Sequence, residues 1–68
     1  MRIAYDAQAD ALTLALTDGE VVTSRELAPG LIVNLDGQGR AVAVEVLDAS
    51  RRIGRQGLRE IVINLQDL

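Results

Sequence analysis

The sequence predicts a small α+β domain, an antiparallel β-meander of about five strands with one short helix and a C-terminal strand. Three observations carry that prediction. Apolar residues alternate with small or polar ones through most of the chain, which is the period of a half-buried strand. Turn residues punctuate the alternation at short intervals. The period then changes once, after Leu47.

The elements follow in order. Arg2 to Tyr5 makes a short opening strand. Leu12, Leu14 and Leu16 alternate with Ala11, Thr13 and Ala15, a second and stronger strand. The five-residue link Asp6-Ala7-Gln8-Ala9-Asp10 is short enough to join antiparallel neighbours, with Asp6 and Asp10 shaping it by accepting backbone N–H groups. A weaker strand, Val21 to Leu27, follows Asp18-Gly19, a dipeptide suited to a hairpin because glycine accepts positive φ. Pro29-Gly30 suits a type II turn. Leu31, Val33 and Leu35 form the next alternating set, Asp36-Gly37-Gln38-Gly39 the next loop, and Val42, Val44 and Val46 the set after that. Four consecutive short connections imply a meander, since parallel strands need crossovers of about a dozen residues. Beyond Leu47, Asp48 reads as an N-cap and Gly54 as a C-terminal residue of positive φ, enclosing a helix of one or two turns over Ala49 to Ile53. Gly57 breaks the segment again. Ile61, Ile63 and Leu65 alternate with Val62, Asn64 and Gln66, predicting a final strand within Glu60 to Leu68 that pairs with its own sheet or a neighbour's.

The 68 residues form a single domain, 1–68, and the composition narrows what it can do. There is no Cys, His, Phe or Trp, and Tyr5 is the one aromatic ring. Cys- or His-based catalysis, Cys/His metal sites and stacking platforms for single-stranded nucleic acid are thereby excluded. No cofactor is expected. No apolar run approaches a membrane span and the start lacks the shape of a signal peptide, so the expected location is the cytoplasm. The net charge of −3 is unevenly spread: residues 1–50 hold three Arg against eight acids, residues 51–68 four Arg against two. That acidic body argues against nucleic acid as a partner. A chain of this length leaves much of its surface unburied, and without disulfides or metal a second copy is the remaining aid. A homodimer or higher oligomer is therefore expected, with the final strand (Ile61, Ile63, Leu65) as the assembly element and Arg51, Arg52, Arg55 and Arg59 as the electrostatic contact for a protein partner.

Tyr5-Asp6, Ala9-Asp10-Ala11-Leu12, Pro29-Gly30, Asp36-x-x-Gly39 and Glu45-Val46-Leu47-Asp48-Ala49-Ser50 stand in an order and spacing that resembles the bacterial domain of unknown function family 2283, DUF2283. The resemblance covers about residues 3–53. It implies a compact β-rich fold, no established activity, and an antitoxin-like binding role in preference to an enzymatic one. Two departures stand out: no aromatic residue accompanies Leu12, and Ala43 stands where glycine is common.

Each candidate site has a plainer reading beside it. Asp6 and Asp10 are turn residues in preference to a Mg²⁺ or Ca²⁺ site, which needs six or more oxygens. Asp36, Glu45 and Asp48 could converge as the carboxylates of a small hydrolase or isomerase. Against that, Asp36 reads as a turn residue, Asp48 as a cap, and Glu45 as solvated or paired with Arg51 or Arg52. Ser50 reads as a local hydrogen-bonding residue, and Tyr5 as the largest apolar anchor.

Overall fold

The computed structural model describes residues 1–66, with side chains described through Ile61. Five strands, β1 (Arg2–Asp6), β2 (Ala11–Ala15), β3 (Thr23–Ala28), β4 (Leu31–Leu35) and β5 (Ala41–Val46), precede two helices, α1 (Ala49–Ile53) and α2 (Arg55–Gln66). All strand pairs are antiparallel, in the spatial order β1-β2-β5-β4-β3. The α+β class and the meander-like sheet match the reading of the sequence.

Local chemistry explains the tight turns. Asp6 accepts from the backbone N–H of Gln8 at 3.0 Å and of Ala9 at 3.3 Å, closing the β1–β2 link. Asp36 accepts from the N–H groups of Gln38 and Arg40, both at 2.9 Å, and Gly39 adopts φ 80° to close the β4–β5 hairpin. At the β3–β4 turn Gly30 also takes φ 80°. Asp18-Gly19 behaves otherwise than expected. It lies in the link from β2 to β3, which are not neighbours in the sheet, and Gly19 is not among the positive-φ glycines. The link is held instead by Gly19 N–H donating to the Thr17 hydroxyl at 3.0 Å, while the N–H groups of Leu16 and Thr17 both donate to the Val42 carbonyl.

Three further expectations are overturned. Asp48 stands at the N-cap position of α1 but does not cap it with its side chain: it sits in the left-handed region (φ 52°, ψ 44°) and makes no side-chain capping bond. A capping residue needs extended backbone to swing its oxygen over the first free N–H groups. The predicted C-terminal strand is also displaced, since Arg55–Gln66 is helical and only residues 67 and 68 of that segment lie outside the described residues. The sequence carries both periods there. Ile61, Ile63 and Leu65 alternate, but Leu58, Ile61, Val62 and Leu65 are spaced i, i+3, i+4, i+7, the stripe of an amphipathic helix. Nor does Gly57 break the segment. A Cβ there would lie 2.7 Å from Ile53 Cγ2, so glycine admits the close approach of α1 to α2. Gly54, at φ 83°, ends α1 as expected, its N–H bonded to the Ser50 carbonyl at 2.9 Å.

Cross-strand partners share a face of a sheet, so the register sorts the residues. One face carries two rows: Ile3, Leu14, Val44, Val33 and Arg25, then Tyr5, Leu12, Val46, Leu31 and Ala28. The other carries Ala4, Thr13, Glu45, Ile32 and Glu26, then Arg2, Ala15, Ala43, Asn34 and Ser24. The first face is apolar up to Arg25 at the β3 edge; the second is small and polar. Burial is sparse. Among the described residues the apolar core consists of Val42, Ala43 and Ala49, with Asn34 the buried polar residue, and no large side chain is fully buried.

Candidate functional site

The tightest polar cluster is built around Asp10. Asp10 takes φ 52° at the end of the β1–β2 link, one of two non-glycine residues with positive φ among the described residues. That backbone turns its carboxylate toward α1, 40 residues later in the chain. Oδ1 accepts from the Ser50 N–H at 3.0 Å and Oδ2 from the Ser50 hydroxyl at 2.7 Å, while the Asp10 carbonyl accepts from the Ala49 N–H at 2.9 Å. These are the free N–H groups of the first helical turn, so Asp10 caps α1 from the β1–β2 link, at the end of the sheet where β5 runs out. The Tyr5 hydroxyl donates to the same Oδ1 at 2.6 Å. Hydrogen bonds from Tyr5 and then Ser50 hold the Asp10 carboxyl below the ordinary carboxylate range. The bond to Asp10 in turn raises the Tyr5 phenol above its ordinary value. A carboxylate so committed is a poor base toward Ser50, and the trio acts as a clamp between the β1–β2 hairpin and α1. Tyr5 is 43% exposed, so its ring covers the rim of the fold instead of anchoring the interior.

The three carboxylates considered for acid–base chemistry are not brought together. Asp36 sits in the β4–β5 hairpin and Asp48 past the other end of β5, a strand length of roughly 20 Å apart. Asp36 is held by its turn: the Arg40 N–H first, then other donors of the same loop, lower its carboxyl, and Arg40 Nε lies 2.9 Å away in an ion pair. Glu45 lies mid-sheet on the polar face and pairs with no arginine among the described residues. Its Oε2 accepts from the Asn34 amide at 2.9 Å, and Asn34 Oδ1 accepts from the Ser24 hydroxyl at 2.7 Å, a polar chain across three strands. Among the described residues no three carboxylates gather into one cluster.

The arginines divide. Arg52 donates to the Pro29 carbonyl, fixing α1 against the β3–β4 turn, where the Gly30 carbonyl also accepts from the Leu47 N–H at 2.8 Å. Arg55 and Arg59 line an open cleft of about 530 Å³ together with Tyr5, Asp10, Ser50 and Leu58. Arg51 is exposed on α1. Ile61 is half-buried, and the side chains of Ile63 and Leu65 lie outside the described residues.

Sequence reasoning missed the largest candidate surface, the apolar face of the sheet. Its Leu12, Leu14, Leu31, Val33, Val44 and Val46 are all half-buried, and among the described residues the contacts of α2 are chiefly with α1. The alternation itself was the signal, since it marks one face of every strand as apolar. What it could not show was that these residues stay only half-buried in the fold.

Among the described residues no helix is long and apolar enough to cross a membrane. No curated protein and no solved structure matches the chain. A family model does match, described as a protein of unknown function (DUF2283), over residues 2–50, the span from β1 to the Ser50 of the clamp. With most of its length covered by that match, the chain belongs to the DUF2283 family.

Proposed function

We propose that the protein is a non-catalytic interaction module that binds protein through the apolar face of its sheet. One observation carries this reading: Leu12, Leu14, Leu31, Val33, Val44 and Val46 share one face, and all six remain half-buried instead of forming a closed core. An apolar patch of that extent on a small protein marks an interaction surface. The polar groups support it by their occupations, with Asp10, Asp36 and Asn34 all committed to holding turns, helix and strands together.

The reading moves the contact from the strand edges to the face. The edges of the sheet are β1 and β3. β3 carries the charges of Arg25 and Glu26 and a register shift between Glu26 and Ala28, features that discourage the addition of another strand. An antitoxin-like role would be one use of the face, with a second protein as its occupant.

The test is binding of the fluorescent probe bis-ANS at submicromolar protein, where self-association is dilute. Wild-type protein enhances the fluorescence, and Leu14→Lys or Val44→Lys removes most of the enhancement. No enhancement with wild type, or none lost in both variants, would refute the reading.

A further inference from the structure

We infer that the occupant of the apolar face is a second copy of this chain, packed face to face. This rests on the reading of the face as an interaction surface and names its partner. Area, composition and burial each support it.

Strands about 4.8 Å apart and about five residues long, at some 3.3 Å per residue, make a five-stranded face of roughly 24 by 17 Å, or about 400 Å² in projection. Two such faces laid together withdraw about 800 Å² from water. Side-chain relief and the half-exposed Tyr5 and Leu16 at the margins raise this toward roughly 1,000–1,200 Å², the lower end for a specific interface. An interface at this lower end of the size range is that of a weak, reversible dimer.

The composition permits self-pairing. Across the two rows the one charged side chain is Arg25, at the outer strand, so no charge is buried when the rows of one copy meet those of another. Leu and Val side chains from two such faces interdigitate at the ordinary sheet separation of about 10 Å. The opposite face, with Glu45, Glu26 and Arg2, would bury charge in the same operation.

The burial argument selects the copy over another protein. The described residues have no fully buried large side chain, and Val44 and Val33 in the middle of the sheet stay partly open. A fold completed by its partner needs that partner wherever the chain is made, and a second copy is supplied in equal amount by the same synthesis.

Sedimentation velocity from submicromolar to about 100 µM tests the inference, with Leu14→Lys and Val44→Lys on the apolar face and Thr13→Lys on the polar face. The expected result is a monomer–dimer equilibrium in the micromolar range, weakened at least tenfold by either apolar-face change and little altered by Thr13→Lys. A second readout guards against misfolding of the lysine variants: in a mixture of isotopically labelled and unlabelled wild-type chains, isotope-filtered NOEs that select contacts between copies connect methyl groups of the apolar face. A wild-type monomer throughout the range that still binds bis-ANS would overturn the second copy and leave the interaction surface standing. A monomer that binds no dye would overturn both. A dimer unmoved by the apolar-face changes and lacking those NOEs would assign association to the strand edges and overturn the face-to-face arrangement.

Discussion

Substituting Gly30 by alanine costs more than substituting Gly39, and the surplus belongs to Arg52. Both glycines have φ 80°, where an L side chain is strained by about 1 kcal/mol. Their surroundings differ. A Cβ on Gly39 meets nothing within 4 Å, whereas one on Gly30 lies 2.8 Å from an Arg52 terminal nitrogen and 3.0 Å from its Nε. The Arg52 side chain must therefore swing away, which releases its hydrogen bond to the Pro29 carbonyl. An exposed bond of this kind contributes about 0.5–1 kcal/mol. Gly39→Ala should thus lose about 1 kcal/mol and Gly30→Ala about 1.5–2 kcal/mol. In a domain of this size 1 kcal/mol is a fall of about 4–8 °C in Tm. Urea and thermal unfolding, read by circular dichroism at one fixed protein concentration, measure both, since self-association makes Tm depend on concentration. The decisive comparison repeats the pair with Arg52→Ala, where the two glycine substitutions should cost the same. Equal losses in the wild-type background, or a difference that survives Arg52→Ala, would refute the assignment of the surplus to that contact.

Three further outcomes follow from the polar contacts and the helix packing. The Asp10 and Asp36 carboxyls lie below their ordinary 3.8 in the fold, so near that pH the unfolded chain binds more protons. Their stabilisation is complete above that value and is lost as pH falls through their folded values. The Tyr5 phenol is raised above its ordinary 10.0, so its contribution is complete below that pH and lost as pH rises through the folded value. Asp10→Asn should lower stability at neutral pH and flatten both limbs of a pH–stability curve; a profile parallel to wild type would contradict the clamp. Asn34→Asp replaces the donor to Glu45 with a second carboxylate. It should cost about 1–3 kcal/mol at pH 7, much of it regained near pH 4 as one of the pair takes up a proton, and urea midpoints at the two pH values decide it. Gly57→Ala gains about 1 kcal/mol of helix propensity but drives its Cβ to 2.7 Å from Ile53 Cγ2. It should therefore be neutral or destabilising alone and stabilising in an Ile53→Ala background, a reversal visible in thermal melts.

The parts of the fold visible in the sequence are those set by neighbours in the chain. The Leu12-Leu14-Leu16 and Val42-Val44-Val46 alternations identify strands because burial of one face requires that period, and Ala49–Ile53 is recovered as α1 to its end residues. The pairing of β2 with β5 lay beyond reach, since connection lengths govern which consecutive strands pair and say nothing of strands some thirty residues apart. The cap of α1 failed for a related reason. Asp48 stands where a cap belongs, and only the tertiary fold shows that Asp10 holds the position instead. In the C-terminal segment two periods compete, and Gly57, read as a breaker, is the residue that lets α2 approach Ile53. The candidate face was half legible: its residues followed from alternation, its openness did not.

The clamp and the sheet together imply that α2 is not required to form them. Every strand pairing lies between residues 2 and 46, and the contacts that fasten α1 (Asp10 to Ala49 and Ser50, Arg52 to Pro29) close before Gly54. The family match likewise ends at residue 50. Among the described residues, what α2 adds is chiefly its packing on α1, where Ile53 approaches Gly57. A chain stopped after Gly54 should therefore keep its β-sheet circular dichroism signal, with the β5 amides exchanging slowest because that strand is the central one, farthest from both edges. It should also keep the concentration-dependent association of the full chain, since the apolar face lies wholly within the sheet. Loss of the sheet signal in the shortened chain would mean that α2 completes the core. Retention of the sheet with loss of association would move the contact from the apolar face to the second helix.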